Sequence, residues 1–319
     1  MKRGRLFIVL TLCALTLFVA DICVGSVDIP VGQVLSALLG YETDPQTRTI
    51  VIDLRLIKAV TAMLAGIALS ISGLQMQTLF RNPLAGPYVL GLSSGASLGV
   101  ALLLLAGPGT TFGIAGAAMA GAAAVMGLLL LVNERVRNVM TLLILGIMFS
   151  SAIGAIVQIL QFVSNEQALK SYVVWTMGSL SEVTAPQLAV LSGCVLIGLV
   201  LTLFTLKPLN LIELGDSFAR SVGVDLRRSR FLLLASTTLL AGSITAFCGP
   251  IGFIGMAVPH IARGIFRSAD HRVLIPASAI VGAIVLIACD ILSRRFLIPI
   301  NAVTSLAGIP VVVYVVLRK

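Results

Sequence analysis

Long apolar runs alternate with short polar segments along almost the whole chain. Ten runs stand between charged, Gly and Pro positions, at about 6–24, 57–79, 87–106, 111–132, 139–163, 187–206, 230–248, 251–266, 273–292 and 300–317. A helix needs about 20 mostly apolar residues to cross a bilayer, and a membrane barrel would instead show alternating segments of about ten residues. The pattern therefore predicts an all-α, polytopic membrane protein of about ten helices. We treat residues 1–319 as a single transmembrane domain.

Composition supports a membrane protein and argues against other classes. Of the 319 residues, 58% are hydrophobic and 11% are charged, whereas soluble domains average about 25% charged residues. The net charge of +9 does not predict a nucleic-acid partner, because no basic region with interleaved aromatic residues lies outside the apolar runs. The five cysteines are scattered without a CxxC pair or a His/Cys cluster, so we expect no disulfide framework and no metal site.

The distribution of basic residues predicts the orientation. With ten spans and the N-terminus inside, roughly three quarters of the 22 Lys and Arg residues fall on the cytoplasmic side, as the positive-inside rule requires. We read the first run as a retained span rather than a cleaved signal peptide, so both termini are expected in the cytoplasm. Two outside segments are long, at about 25–56 and 164–186. The second carries Tyr172 and Trp175 and fits either an interfacial helix or a simple connecting loop.

The longest cytoplasmic connection is "KPLNLIELGDSFARSVGVDLRRSR", at about 207–230. Asp216 or Ser217 is suited to cap a short helix, Gly223 to end it and Asp225 to cap the next run. Apolar residues stand within this charged frame at Leu214, Phe218, Val222 and Val224. Such a segment suits docking into a groove on another protein. The alternative is a loop held on lipid head groups by Arg227, Arg228 and Arg230.

The segment "GLQMQTLFRNPLAGPYVLGLSSGASLGV" predicts a sharp turn followed by a helix with one small, faintly polar side. Such a side either packs on a neighbouring helix or lines a water-filled path. "GLSSG" also matches the pattern of a serine nucleophile, so an intramembrane hydrolase using Ser93 or Ser94 is a second hypothesis. That chemistry needs a histidine within hydrogen-bond reach, and both histidines, His260 and His271, are expected at the cytoplasmic edge of other spans.

Two absences limit the function further. Asp21 and Asp290 stand singly near span ends, which argues against proton relays and Mg²⁺-dependent lipid enzymes. No G-x-x-x-x-G-K-[ST] motif occurs, so the chain does not bind ATP through a P-loop. Powered transport would need another subunit, and an ATP-independent channel or transporter is a third hypothesis.

Four long stretches resemble a known family from about residue 50 onward: "LRLIKAVTAMLAGIALSISGLQMQTLFRNPLAGPYVLGLSSGASLGV", "GDSFARSVGVDLRRSR", "GPIGFIGMAVPHIARGIFRSADHRVLIPASAIVGA" and "CDILSRR". They resemble the FecCD family, the permease subunits of type II ABC importers for iron-siderophores, haem and vitamin B12. The resemblance implies the type II permease fold in the bacterial cytoplasmic membrane. It implies a homodimer, or a pair with a close paralogue, two ATP-binding subunits inside, and a periplasmic or lipid-anchored substrate-binding protein outside.

The same resemblance implies a non-catalytic chain without a cofactor of its own, while the ATPase subunits use ATP and Mg²⁺. The cargo would be a chelated metal, an iron-siderophore or haem, with vitamin B12 as the alternative. The segment that couples to the ATPase matches Leu214, Gly215, Asp216, Phe218, Ala219, Arg220, Val222, Gly223 and Val224. The two histidines are interpreted as residues near the ATPase contact rather than as metal ligands or bases.

The resemblance also assigns outer and inner sites. The family's R-L-P-R motif, which offers basic residues to the binding protein, reads R-L-I-K here, and the expected docking residues are Arg55, Lys58, Arg294 and Arg295. Because Lys lacks the bidentate fork of Arg, docking there is expected to be weaker or differently oriented. The family's E-L-P-[VI]-G segment appears as "LIPIN". The expected inner gate and pathway residues are Asn82, Leu84, Ser93 and Ser94, with Val139 and Met140 as secondary gate candidates.

Overall fold

The computed structural model describes residues 3–25, 27–41, 43–107, 113–133, 136 and 139–317. Within these ranges the chain is helical and has no β-strand, which confirms the predicted all-α class. The first helices are α1 (Arg3–Cys23), α2 (Val31–Leu39), α3 (Pro45–Thr49), α4 (Ile57–Phe80), α5 (Leu92–Ala101), α6 (Ile114–Asn133), α7 (Val139–Val163) and α8 (Glu166–Thr176). The others are α9 (Ala185–Glu213), α10 (Asp216–Ser221), α11 (Leu226–Thr237), α12 (Ser243–Cys248), α13 (Ile254–Phe266), α14 (His271–Phe296) and α15 (Ile300–Leu317).

Four short segments of other helical type extend these helices. A π-helical segment (Ile50–Leu56) leads into α4, and a 3-10 turn (Pro87–Leu90) leads into α5. Further π-helical segments follow α5 (Leu102–Ala106) and join α11 to α12 (Thr238–Gly242). The π segments before α4 and after α11 lie between α-helical segments, whereas Leu102–Ala106 ends the helix that begins with α5.

Each of the ten expected spans coincides with a helical segment. In the described ranges, seven helices are long and apolar enough to cross a membrane, and two shorter apolar helices occupy Leu92–Ala106 and Ile254–Phe266. The remaining span is α4, whose second half is completely buried. The start of the fourth expected span, residues 111 and 112, lies outside the described residues.

Two boundaries differ from the expectation. The sixth span continues past Lys207 and Pro208 to Glu213, so the proline stands inside α9 rather than ending it. The eighth span begins only at Ile254, because Gly249 and Phe253 adopt positive φ angles of 72° and 65° and keep the preceding backbone out of the helix. α9 therefore projects further toward the predicted coupling segment, while α13 is short.

The centre of the bundle is built on close contacts between α4 and its neighbours α13 and α14. A Cβ added to Gly73 would lie 1.8 Å from the carbonyl oxygen of Gly255 on α13, and one added to Gly66 would lie 2.2 Å from that of Gly282 on α14. Small residues of this kind let helix backbones approach closely. Close packing holds helices together in a membrane, because the hydrophobic effect does not drive helices together in lipid. The glycines of α4 are therefore required for its central position.

Gly73→Ala is expected to destabilise the fold by at least about 1–3 kcal/mol, because the new methyl group would overlap backbone atoms that cannot move aside. Gly154→Ala on α7 is the matched control, since a Cβ there meets nothing within 4 Å and Ala favours a helix by up to about 1 kcal/mol over Gly. Thermal stability in detergent, followed by size-exclusion chromatography, measures both. Equal melting temperatures for the two variants would contradict the packing account.

Candidate coupling and gating site

The predicted coupling segment is a short helix held between α9 and α11. Gly215 (φ 116°) turns the chain into α10, and Gly223 (φ 86°) ends that turn in the left-handed region. Asp225 caps α11 by accepting a hydrogen bond from the Arg228 amide at 3.1 Å. The predicted roles of Gly223 and Asp225 are confirmed, whereas the predicted side-chain cap of α10 is wrong, because Gly215 holds the N-cap position.

Asp216 forms an ion pair that fastens α10 to α11. Its carboxylate accepts a hydrogen bond from the Arg230 guanidinium at 2.7 Å, and Arg230 is almost fully buried. On the other side, Ala219 is buried and its carbonyl accepts from the Val224 amide at 2.9 Å. The interpretation of Arg230 as a lipid head-group anchor is therefore wrong, and α10 is held rigidly against the helices that flank it.

The free edge of this segment is apolar. Leu214, Phe218 and Val222 are 67%, 45% and 54% exposed, while Val224 is half-buried against the core. Arg220 and Asp216 border them with opposite charges. Exposed apolar side chains on a rigid, charged frame are typical of a protein-docking surface. The arrangement matches the predicted edge, and its role in coupling stays a prediction.

The turn after α4 forms the candidate inner gate. α4 ends where Arg81 adopts the left-handed conformation (φ 47°). The side-chain oxygen of Asn82 then accepts from the Leu84 amide at 2.9 Å, while its carbonyl accepts from the Ala85 amide at 3.0 Å. Asn82 is half-buried and Leu84 is exposed. The predicted sharp turn is confirmed, and its function as a gate stays a prediction for Asn82 and Leu84, as for Val139 and Met140 at the start of α7.

Polar groups from α4 and α13 hold this turn in place. His260 donates a hydrogen bond from Nε2 to the Pro83 carbonyl at 2.7 Å. Gln77 donates to the Met256 carbonyl at 2.9 Å and accepts from Arg263 at 2.9 Å. The His260 bond reaches the turn itself, while the Gln77 bonds fasten α4 to α13, so a movement of α13 relative to α4 would displace the turn. Sequence reasoning did not identify Gln77 or Arg263, although a charged residue within a short apolar helix is itself a signal.

Ser93 and Ser94 are half-buried on α5, the helix that packs closely on α6. A Cβ on Gly95 would lie 2.5 Å from the Gly121 carbonyl oxygen, so part of the small-residue side serves helix packing. The helix follows a 3-10 turn rather than a strand. Both ring nitrogens of His271 are hydrogen-bonded to α4 and α9, and Nε2 of His260 contacts Pro83. The serine-hydrolase hypothesis therefore finds no support in the geometry.

Three of the expected docking residues form bonds within the chain at the opposite end of the bundle. Arg55 is only 5% exposed and donates to the carbonyls of Ile22 and Cys23 at 3.1 and 2.9 Å. Lys58 lies 3.1 Å from the Asp290 carboxylate. Arg294 contacts both Asp290, at 2.7 Å, and Asp21. Arg295 is the exposed member of the set, and the docking role of all four stays a prediction.

These contacts correct the description of Asp21 and Asp290 as single carboxylates. Both side chains are buried, and Arg294 bridges them while Lys58 neutralises Asp290 from α4. A buried charge is retained only when it is paired and hydrogen-bonded. The cluster thus ties α1, α4 and α14 together at one end of the bundle. The only sequence signal was the spacing of Asp290 and Arg294, four residues apart on one helix.

A model of the FecCD transport family matches residues 12–318. The chain belongs to the FecCD transport family. Relatives of this FecCD chain include the hemin transport system permease protein of Yersinia pestis, 36% identical over 84% of this chain and 83% of that protein. Another is the vitamin B12 import system permease protein of Klebsiella pneumoniae, 34% identical over 100% of this chain and 95% of that protein.

A solved structure gives the same result for the fold. An ABC transporter of the metal-chelate type, in an inward-facing conformation, aligns with this FecCD chain with a TM-score of 0.88 and 27% identity, covering 99% of this chain and 100% of that one. The ABC-permease fold expected from the sequence is therefore confirmed. As a FecCD protein, the chain is a membrane-spanning transporter permease and not an enzyme.

Proposed function

We propose that this chain is the permease subunit of an importer that carries a chelated metal, an iron-siderophore or haem, across the bacterial cytoplasmic membrane. The observation that carries the proposal is α10, a rigid helix with an exposed apolar edge, held between two long helices. Two copies, or one copy and a close paralogue, would enclose the pathway. Two separate ATPase subunits would bind ATP and Mg²⁺ at the cytoplasmic side, where both termini also lie, and the chain itself needs no cofactor.

In this mechanism the ATPase moves the permease through α10. Because the Asp216–Arg230 ion pair and the buried Ala219 fix α10 to its neighbours, a displacement of the ATPase becomes a tilt of α9 and α11. Interfaces between packed helices convert small shifts into discrete rearrangements of this kind. The turn at Asn82–Ala85 would open or close as the helix ends move, and the cargo passes without a chemical step.

A buried polar cluster provides a fixed point for such a tilt. The amide of Gln75 on α4 donates to Thr202 on α9 at 2.8 Å and to Ser236 on α11 at 3.2 Å, and it accepts from Thr237 at 3.0 Å. All four side chains are buried. Hydrogen bonds between membrane helices fasten them where unpaired polar groups would be costly. The cluster is therefore suited to act as the pivot of this tilt, between the candidate gate and the outer end of the bundle.

A substrate-binding protein would deliver the cargo at the end that carries Arg295. A cavity of about 320 Å³ lies there, bordered by Arg55, Lys58 and Arg294. Because these three side chains already bond within the chain, the exposed Arg295 is the basic group that acidic side chains of the binding protein would meet first. Vitamin B12 is the second candidate cargo, because the B12 permease is similar over the entire length of this chain. Iron complexes are favoured because the hemin permease has a slightly higher identity and the solved structure is of the metal-chelate type.

The cargo is tested by measuring what the cognate binding protein holds. That protein is identified by its binding to the purified permease–ATPase complex in nanodiscs, and its affinity for haemin, a ferric siderophore and vitamin B12 is then measured by calorimetry. We expect one of the two iron complexes to bind far more tightly than vitamin B12. Tight binding of vitamin B12 alone would contradict the proposed cargo while leaving the importer mechanism intact.

A further inference from the structure

His271 connects the two helix ends that lead to the candidate gate and to the coupling segment. It is the first residue of α14, and its side chain is completely buried. Thr78 on α4 lies two residues before the end of that helix, and Asn210 on α9 lies three residues before Glu213. The ring contacts two helices of its own chain rather than the protein surface, and the expected position of His271 near the ATPase contact stays a prediction.

The hydrogen bonds of His271 fix its orientation. Asn210 donates from its amide nitrogen to Asp270 at 2.9 Å, and its amide oxygen accepts from the His271 backbone at 2.8 Å. The same oxygen lies 2.7 Å from the ring Nδ1, so that nitrogen must be the donor. In the neutral ring, Nε2 then accepts from the Thr78 hydroxyl at 2.8 Å. One rigid ring thus joins α4 to α9.

The residues around His271 lie where the ends of α4 and α9 could move relative to each other. Glu213, the last residue of α9, has a carboxylate oxygen 3.7 Å from Nδ1. A cavity of about 310 Å³ separates the end of α9 from the gate turn, and Glu213, Arg263 and Pro83 line parts of it. The two helix ends therefore have space between them on one side and the buried His271 bridge on the other.

We propose that His271 is a positioning residue that transmits movement of the coupling segment to the gate turn, through the chain Asn210–His271–Thr78. The inference rests on the proposed function of α10 as the ATPase contact. When α9 shifts, the ring carries the displacement to the last turn of α4, and the Asn82–Ala85 turn follows.

Hydrogen exchange measured by mass spectrometry tests this inference in the complete permease–ATPase complex in nanodiscs, with and without ATP plus vanadate. The wild-type complex is expected to show nucleotide-dependent changes in exchange both at the coupling segment, 207–230, and at the gate turn, 80–92. Exchange reports local opening of each segment separately. In His271→Phe the change at the gate should fall at least about fivefold, the lower end of typical coupling between sites, while the change at the coupling segment remains.

Two further variants separate transmission from folding. Thr78→Val removes one hydroxyl and keeps the side-chain shape, so it should reproduce the gate-specific loss even if His271→Phe does not fold. Thr61→Val, which removes a buried hydroxyl of α4 that donates to the Ile57 carbonyl of the same helix, should keep both responses. Retention of the gate response in Thr78→Val and His271→Phe, or equal loss in Thr61→Val, would overturn the inference. Absence of both responses in the wild type would instead contradict the proposed function.

Discussion

Replacing Phe218 and Val222 together by Ser is expected to detach the ATPase and abolish ATP-dependent uptake. Both side chains are about half exposed on the free edge of α10, and neither takes part in the Asp216–Arg230 ion pair that holds the helix. Apolar anchors at the centre of an interface each contribute about 2 kcal/mol. Losing two of them would weaken ATPase binding by roughly a thousandfold.

The test is co-purification of the ATPase with the variant permease, together with uptake in proteoliposomes. Phe162→Ser is the control, because Phe162 is a 91% exposed aromatic residue in the last turn of α7, away from α10. We expect that control to retain the ATPase at the wild-type ratio. A Phe218/Val222 double variant that still binds the ATPase and imports normally would contradict the role assigned to α10.

Arg294→Met is expected to destabilise the protein strongly. Arg294 bridges Asp21 and Asp290, and both carboxylates are buried, so its removal deprives Asp21 of the cation that bonds to it. Breaking a buried ion pair from one side costs about 3–5 kcal/mol. For a chain of this size that corresponds to a fall in melting temperature of roughly 5 °C or more.

Arg295→Met is the matched control, since it removes the neighbouring, exposed arginine of the same helix. Surface charges contribute little to stability, so its melting temperature should stay close to that of the wild type. A stronger result comes from the double variant Asp21→Asn, Arg294→Met, which leaves Asp290 paired with Lys58 and should recover part of the loss. Equal melting temperatures for Arg294→Met and Arg295→Met would show that the cluster does not hold α1, α4 and α14 together.

The positions of the apolar helices could be predicted from the sequence because span length depends on local composition. Each apolar run is bounded by charges or by Gly and Pro, and the helices α7 and α15 begin and end close to the predicted residues. α9 was predicted too short because Lys207 and Pro208 usually mark a helix end. Its extension depends on packing against α10 and α11, which no local pattern contains.

The candidate site was predictable where the residues that form a turn or a helix cap lie close together in the chain. The turn at Asn82–Ala85, the end of α10 at Gly223 and the start of α11 at Asp225 follow from local residues. The Asp21–Arg294 and Thr78–His271 contacts join residues 273 and 193 positions apart, so the sequence showed single charges and single histidines. The role of these residues in holding helices together depends on the packing that brings them into contact.

ATP-driven import by the reconstituted complex tests the central claim most directly. Proteoliposomes containing the permease and its ATPase, with the binding protein on the accessible side, are supplied separately with haemin, a ferric siderophore and vitamin B12, and accumulation is followed with and without ATP at the ATPase side. The account predicts accumulation of one iron complex that requires both ATP and an active ATPase. Accumulation independent of ATP, or no accumulation of any of the three compounds, would contradict it.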